Sequence, residues 1–202
     1  MNSSVQDYPD FESLRLGEEC VVWIGRLPEK LQISFEALWA LHPEERREIP
    51  MVGRWVKAPR WDQAFGMDYH YRGIVNQALP IPDLLRDIFE WTVATVDARL
   101  NGLLVNWYDG AQGHYIGRHR DSVKKMIEGA PIVTISLGED RVFRMRPPNL
   151  KGFRDFSATA RSMIIIPYAT NRRWFHEVPR FKHQIGRRIS ITIRGFISSD
   201  SP

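Results

Sequence analysis

From residue 100 onward the chain runs through six short stretches rich in β-branched and aromatic residues: GLLVNWY, PIVTISL, RVFRMR, SMIIIPY, RWFHEV and RRISITIRGFI. Turn residues separate them, and no helical crossover of a dozen residues lies between them, as a parallel βαβ arrangement would need. This half of the chain is therefore expected to close as an antiparallel sandwich or barrel. The most explicit stretch is RRISITIR, where Ile189, Ile191 and Ile193 alternate with Arg188, Ser190, Thr192 and Arg194. A period of two puts the isoleucines on one face of a strand and the polar set on the other. Gly138, Glu139 and Asp140 are expected to fold two of the runs into a hairpin.

The first half reads differently. CVVWIGR, residues 20–26, has the pattern of a strand. SFEALWALHPEE has that of a helix capped by Ser34 and stopped by Pro43. The strongest helix is IPDLLRDIFEWTVATVDARL, with Pro82 in its first turn and one face of Leu85, Ile88, Phe89, Thr92 and Val96. Between these lies an aromatic segment broken by Pro and Gly. The fold class is thus α+β, with N-terminal helices and a β core. A chain of 202 residues is most simply one domain, long enough to bury a core without disulfides or a structural metal.

One cysteine, Cys20, rules out an internal disulfide, and the acidic, polar first twenty residues do not read as a signal peptide. A protein of the cytoplasm or nucleus, without a membrane span, is expected. Residues 1–50 hold five Lys/Arg against ten Asp/Glu, whereas residues 141–194 hold thirteen against two, a balance of 5 − 10 = −5 against 13 − 2 = +11. The basic half suits a polyanion, although solvated arginines or a small anionic cosubstrate also account for part of it.

In YIGRHRDSVKKM, His119 and Asp121 are two residues apart, so in an extended chain an imidazole and a carboxylate face the same side. Such a pair alone is common on surfaces. His176, in the strand-like WFHEVP, completes a set of two histidines and one carboxylate, the facial triad that leaves positions open on iron(II). The polar face of RRISITIR adds two arginines, which pair with carboxylates in bidentate fashion. Triad and arginines together imply 2-oxoglutarate. His114 has the wrong spacing for a ligand, and His42, His70 and His183 lack a ligand-like pairing.

On NWY at 106–108, HRD at 119–121, TNRRWFHEVP at 170–179, Arg188-x5-Arg194 and PRWDQAFGMDYHYRG at 59–73, the sequence resembles the AlkB family of Fe(II)/2-oxoglutarate-dependent dioxygenases, nearest its DNA-repair branch. The resemblance implies a double-stranded β-helix, jelly-roll-like, over residues 100–197, with a substrate lid at 55–75 and residues 1–54 as an extension packed on the core. By carry-over, His119, Asp121 and His176 are the catalytic metal ligands for iron(II). Arg188 and Arg194 take the two carboxylates of 2-oxoglutarate, with Asn106, Tyr108 and Ser190 as further contacts. Ser190 stands where members commonly have asparagine.

The chemistry that follows is oxidative decarboxylation of 2-oxoglutarate with O2 to succinate and CO2, and hydroxylation of a substrate C–H bond. On an N-methyl group this ends in formaldehyde and a demethylated nitrogen. Tyr69 and Tyr71, two apart in the lid, are expected to bind the substrate as flat stacking surfaces, whereas Trp61 and Phe65 are expected to cover the core. The expected partner is nucleic acid, DNA in preference to RNA, acted on by a monomer. HRDSVKK departs from the repair branch, which carries an acidic residue shortly after the metal-binding Asp. That departure favours an alternative, the same iron chemistry on a small molecule or a protein side chain. A metal-free binding module is the third reading.

Overall fold

The computed structural model describes residues 8–51, 53–71, 73–147 and 152–197. Two strands, β1 (Glu12–Arg15) and β2 (Val21–Arg26), lead to a short helix, α1 (Phe35–Trp39). Six short strands follow: β3 (Glu48–Met51), β4 (Arg54–Lys57), β5 (Trp61–Phe65), β6 (Tyr69–Tyr71), β7 (Ile74–Asn76) and β8 (Ala78–Leu79). Helix α2 (Asp83–Thr95) then leads into β9 (Gly102–Asp109), β10 (Ile116–His119), β11 (Ile132–Gly138), β12 (Arg141–Arg146), β13 (Arg154–Ala158) and β14 (Ser162–Ile166). Helix α3 (Tyr168–Arg173), β15 (Phe175–Val178) and β16 (Arg187–Arg194) complete the chain.

An eight-stranded sheet in the order β1-β2-β14-β11-β16-β9-β5-β8 faces a four-stranded sheet in the order β10-β15-β12-β13. Pairing is antiparallel except between β5 and β8. This is the expected double-stranded β-helix. The alternation of β16 explains its place: Ile189, Ile191 and Ile193 join the core beneath the helices, with Leu38, Leu85 and Ile88. Arg188, Ser190, Thr192 and Arg194 point to the space between the sheets, and every one of these seven side chains is buried. A second apolar cluster, which includes Leu104, Ile132, Phe143, Met145, Ile164 and Val178, binds the two sheets to each other.

Helix α2 turns Leu85, Ile88 and Thr92 inward, as its spacing requires. Helix α1 is shorter than its sequence pattern. Ser34 caps it, its hydroxyl accepting from Ala37 N at 3.2 Å, but after Trp39 the hydrogen bonds tighten to Leu41 N→Leu38 O and His42 N→Trp39 O, both 3.2 Å. The tight turn lays His42 on the indole of Trp61, ring centroids 4.4 Å apart.

Gly138-Glu139-Asp140 is not a hairpin. Strand β11 pairs with β14 and β16, whereas β12 pairs with β13 and β15, so these three residues carry the chain from one sheet to the other. Gly138 makes the crossing with φ 85°, and a Cβ there would lie 2.4 Å from the Arg187 carbonyl oxygen. Residues 55–75, expected to form a substrate lid, are built of separate pieces. Within residues 55–75, Trp61–Phe65 is β5, a strand of the large sheet paired with β9, with Phe65 in the core and Trp61 packed against it. Two separate antiparallel pairs flank β5 in the chain, β3 with β4 and β6 with β7, and Ile49 and Met51 of β3 and Tyr69, Tyr71 and Ile74 of the second pair line the cavity.

Candidate active site

The site lies between the sheets, in a cavity of about 210 Å³ lined by Tyr69, Tyr71, Asn106, Tyr108, His119, Asp121, His176, Arg188, Ser190 and Arg194. Every residue expected to hold the metal, the cosubstrate or the substrate reaches this one space. Strand pairing explains why. His119 on β10 stands directly opposite His176 on β15, with ring centroids 4.3 Å apart. On the other wall, Asn106 faces Ser190 and Tyr108 faces Arg188 across β9 and β16.

Asp121 sits just past the end of β10, where no strand partner holds its backbone. Asn171 of α3 replaces that partner: Asp121 N donates to the Asn171 side-chain oxygen at 3.1 Å, and the Asn171 amide donates back to the Asp121 carbonyl at 3.0 Å. Arg194 donates from both Nε, at 2.8 Å, and Nη2, at 2.6 Å, to Asp121 Oδ2. The other carboxylate oxygen, Oδ1, is left facing His119 Nε2 at 3.6 Å and His176 Nε2 at 3.9 Å. One ligand atom from each of the three residues lies within 4.8 Å of the other two.

The protonation states suit a cation. Burial pulls the His119 imidazole from its ordinary value down to about 3, and His176 is lowered by burial as well, so both rings are neutral with a lone pair to give. The His119 Nδ1–H donates to the Gly117 carbonyl at 2.9 Å, which leaves Nε2 as the free lone pair. Burial works against the charge of Asp121, but the carboxyl is held below its ordinary range, foremost by the charge and paired hydrogen bonds of Arg194. Two neutral imidazoles and one carboxylate are a donor set that fits iron(II).

Away from the triad, Arg188 is fully buried, and only its Nη2 finds a partner, donating to Ser136 Oγ at 2.8 Å. Its Nε and Nη1 have no partner among the described residues, and burial lowers its pKa. A buried guanidinium with two idle donors is costly without an anion, so the residues present fit a carboxylate ligand. Arg194 differs: only its Nη1 is unpartnered, because the rest of its fork holds Asp121. The two strand-borne arginines, read alike in the sequence, do unequal work.

Tyr69 is buried, its hydroxyl 3.5 Å from Asp121 Oδ1, its ring 4.8 Å below the Arg194 guanidinium, and it stacks nearly parallel on Tyr71 with centroids 6.5 Å apart. Three contributors escaped the sequence reading: Asn171, Phe143, which stacks on His176 at 5.5 Å, and Arg60, whose Nε donates to Asn106 Oδ1 at 2.6 Å. Of these only Arg60 carried a signal, as a cation inside the aromatic segment PRWDQAFG. His114 lies in the β9–β10 loop, its Nδ1 accepting from Asp109 N at 3.1 Å, and takes no part in the triad.

Part of the basic excess of residues 141–194 is paired within the fold. Arg187 pairs with Glu36 and Arg173 with Glu19, tying the acidic first fifty residues to the basic core. Arg144 pairs with Asp155 and Arg146 with Glu177. No helix among the described residues is long and apolar enough to cross a membrane.

A profile of the 2OG-Fe(II) oxygenase superfamily matches residues 35–194. The chain is 27% identical over 157 residues to the DNA oxidative demethylase ALKBH2 of Homo sapiens and 25% identical over 157 residues to that of Bos taurus. These matches cover 72% of this chain but only 60% and 56% of the two relatives. The solved structure of OsALKBH1 superposes with a TM-score of 0.55 at 17% identity, covering 91% of this chain and 99% of the other.

Proposed function

We propose that this chain, which belongs to the 2OG-Fe(II) oxygenase superfamily and within it to the AlkB family, demethylates alkylated nucleic-acid bases by oxidation. It is a dioxygenase whose cofactors are iron(II), 2-oxoglutarate and O2. The observation that carries the reading is a single cavity with the triad on one wall, the idle N–H groups of Arg188 on the other, and the Tyr69–Tyr71 stack alongside.

His119, Asp121 and His176 hold the metal. Bound there, iron(II) would activate O2, the oxidant for decarboxylation of 2-oxoglutarate to succinate and CO2 and for hydroxylation of a substrate C–H bond. Arg188 takes the distal carboxylate of 2-oxoglutarate, steadied by Ser136. Tyr108 and Asn106 from the paired strand β9, and Ser190 from β16 itself, complete its polar contacts. Asn106 is oriented by Arg60, which occupies its carbonyl and turns its amide N–H groups to the cosubstrate. Arg194 acts mainly as a positioning residue for Asp121, with Nη1 left for the cosubstrate. Tyr69 and Tyr71 offer apolar ring surface to an alkylated base. Once hydroxylated, an N-methyl group loses its C–N bond: the electron pair and the hydroxyl proton go to the base nitrogen, and formaldehyde leaves.

A second reading rests on a specific feature. The carboxylates lining the cavity, Asp62 and Asp121, are both engaged, Asp62 by Arg47 at 3.2 Å and Asn76 at 2.7 Å. Among the described residues no acid from the run after Asp121 lines the cavity, so the acidic group that would read a cationic base or its exocyclic amine from that position is missing. That favours a small-molecule or protein substrate for the same chemistry. Formaldehyde and succinate release from oligonucleotides carrying 1-methyladenine or 3-methylcytosine tests the two. Release in step with methyl loss supports base demethylation, whereas slow succinate formation with every methyl retained leaves the second.

A further inference from the structure

We infer that Arg118 and Arg120, gathered on the ring of Phe175 beside the cavity, form a clamp for the phosphodiester backbone of a nucleic-acid strand. The inference rests on the base-demethylation reading and adds to it the surface that receives the strand. Both guanidinium carbons lie over the Phe175 ring, 4.9 and 4.7 Å from its centroid. Arg118 lines the cavity. Arg120 stands between the ligands His119 and Asp121, and Phe175 directly precedes the ligand His176.

Among the described residues neither of these two cations is paired with an acid, unlike Arg144 and Arg146. On the same four-stranded sheet, Arg144 and Arg146 each bind a carboxylate, at 2.7 and 2.6 Å. Arg120 has only a carbonyl, that of Arg172, as acceptor for Nη1 at 2.5 Å, and Arg118 has no hydrogen-bond partner among the described residues. Both side chains are exposed. Two like charges held against one ring repel each other, and the arrangement gains when an anion bridges or flanks them. The ring also orients the flat guanidinium forks in advance, so less rotamer freedom is lost when their N–H edges meet an anion.

The position decides what kind of anion. Inside the cavity the idle donors belong to Arg188 and Arg194, in the space that 2-oxoglutarate needs, whereas Arg118 and Arg120 reach solvent. An anion on them is therefore outside the reaction space yet one residue from the metal ligands. A strand whose base enters the cavity leaves its sugar-phosphate backbone in that position. A free methylated amine or a lysine side chain leaves nothing there.

Binding of a methylated single-stranded oligonucleotide, measured by fluorescence anisotropy under anaerobic iron(II) and 2-oxoglutarate across a salt series, tests this. Two phosphate contacts contribute about 1.4 to the slope of log K against log salt on a single strand. The double variant Arg118→Gln/Arg120→Gln should lose about that much slope and bind roughly tenfold or more weakly at low salt, with an unchanged melting temperature. Arg118→Lys/Arg120→Lys should keep most of the slope. Arg154→Gln, on the opposite edge strand of the same sheet, should change neither quantity.

A Gln pair with wild-type slope and affinity overturns the clamp, as does an equal loss in Arg154→Gln, which would make the effect a diffuse field. If the methylated mononucleotide loses as much affinity as the strand, the pair holds an isolated phosphate and the backbone assignment fails. Wild-type protein that binds no oligonucleotide at low salt removes the nucleic-acid reading itself.

Discussion

The two faces of the large sheet are built from the same strands and both are buried, yet they are opposite in chemistry. Toward the helices, β9, β11 and β16 present Leu103, Val105, Trp107, Val133, Ile135 and the three isoleucines. The one polar atom there, the Trp107 indole N–H, is satisfied by the Leu38 carbonyl at 2.9 Å. Toward the smaller sheet, the same strands present arginines, an asparagine and hydroxyls, with Arg188 as inaccessible as Ile191. Burial alone therefore does not separate core from site; the concentration of unmet hydrogen-bonding capacity does, since in the helix-side core among the described residues only Trp23 Nε1 is left without a partner. His176 Nδ1, Arg188 Nε and Nη1, and Arg194 Nη1 are buried without partners. Each such group costs about 1–3 kcal/mol, a load the apolar face must carry.

The contrast breaks if the two faces respond alike to substitution. The largest effect belongs to His176→Ala, which removes one of three metal ligands. Succinate formation should fall to background and iron affinity with it, while the metal-free protein melts close to the wild-type temperature. Ile191→Ala, on the other face of β16, should cost about 3 kcal/mol of stability in urea unfolding, with activity per folded molecule preserved. Loss of activity without loss of stability would contradict the division.

Arg188→Met sharpens the comparison by opposing its two readouts. The 2-oxoglutarate KM should rise by roughly one to two orders of magnitude through loss of charge-assisted hydrogen bonds. The cosubstrate-free protein should be as stable as wild type or more so, because a buried cation lacking an anion has gone.

The smallest effect lies at the margin of the polar face. Burial lowers His114 from 6.5 to about 4, so the folded chain binds fewer protons than the unfolded one. Its contribution to stability is present above pH 6.5 and is lost as the pH falls toward 4. The urea midpoint should drop between about pH 7 and about pH 5, and drop less in His114→Gln.

Much of this was legible beforehand because it depends on period and spacing. The alternation in RRISITIR announced both faces of β16, and the His119-Asp121 interval with a distant His176 announced the triad. Connectivity was not legible. Gly138-Glu139-Asp140 has hairpin chemistry, but whether two consecutive strands pair or part company is set by which other strands compete for their edges. Helix α3 was hidden as well, since TNRRW carries no apolar period, and with it the role of Asn171. The two arginines of β16 looked equivalent because the sequence does not reveal that Asp121 meets only one of them. The charge asymmetry was real, but it led to internal pairs such as Glu36–Arg187, whereas the cations of the proposed clamp, Arg118 and Arg120, lie outside the basic segment.

The position of β2 on the large sheet has a further consequence. Strand β14, Ser-Met-Ile-Ile-Ile, is apolar on both faces and is hydrogen-bonded on one side to β11 and on the other to β2. Were β2 absent, β14 would offer an open, sticky edge to any neighbouring chain, the template from which aggregates grow. With β2 present, the border passes outward to β1, whose sequence Glu-Ser-Leu-Arg is short, charged and ill-suited to recruiting another strand. At the far side the sheet stops at β8, only two residues long. The N-terminal strands thus act as a selvedge, keeping a sheet built of isoleucine from continuing into its neighbours.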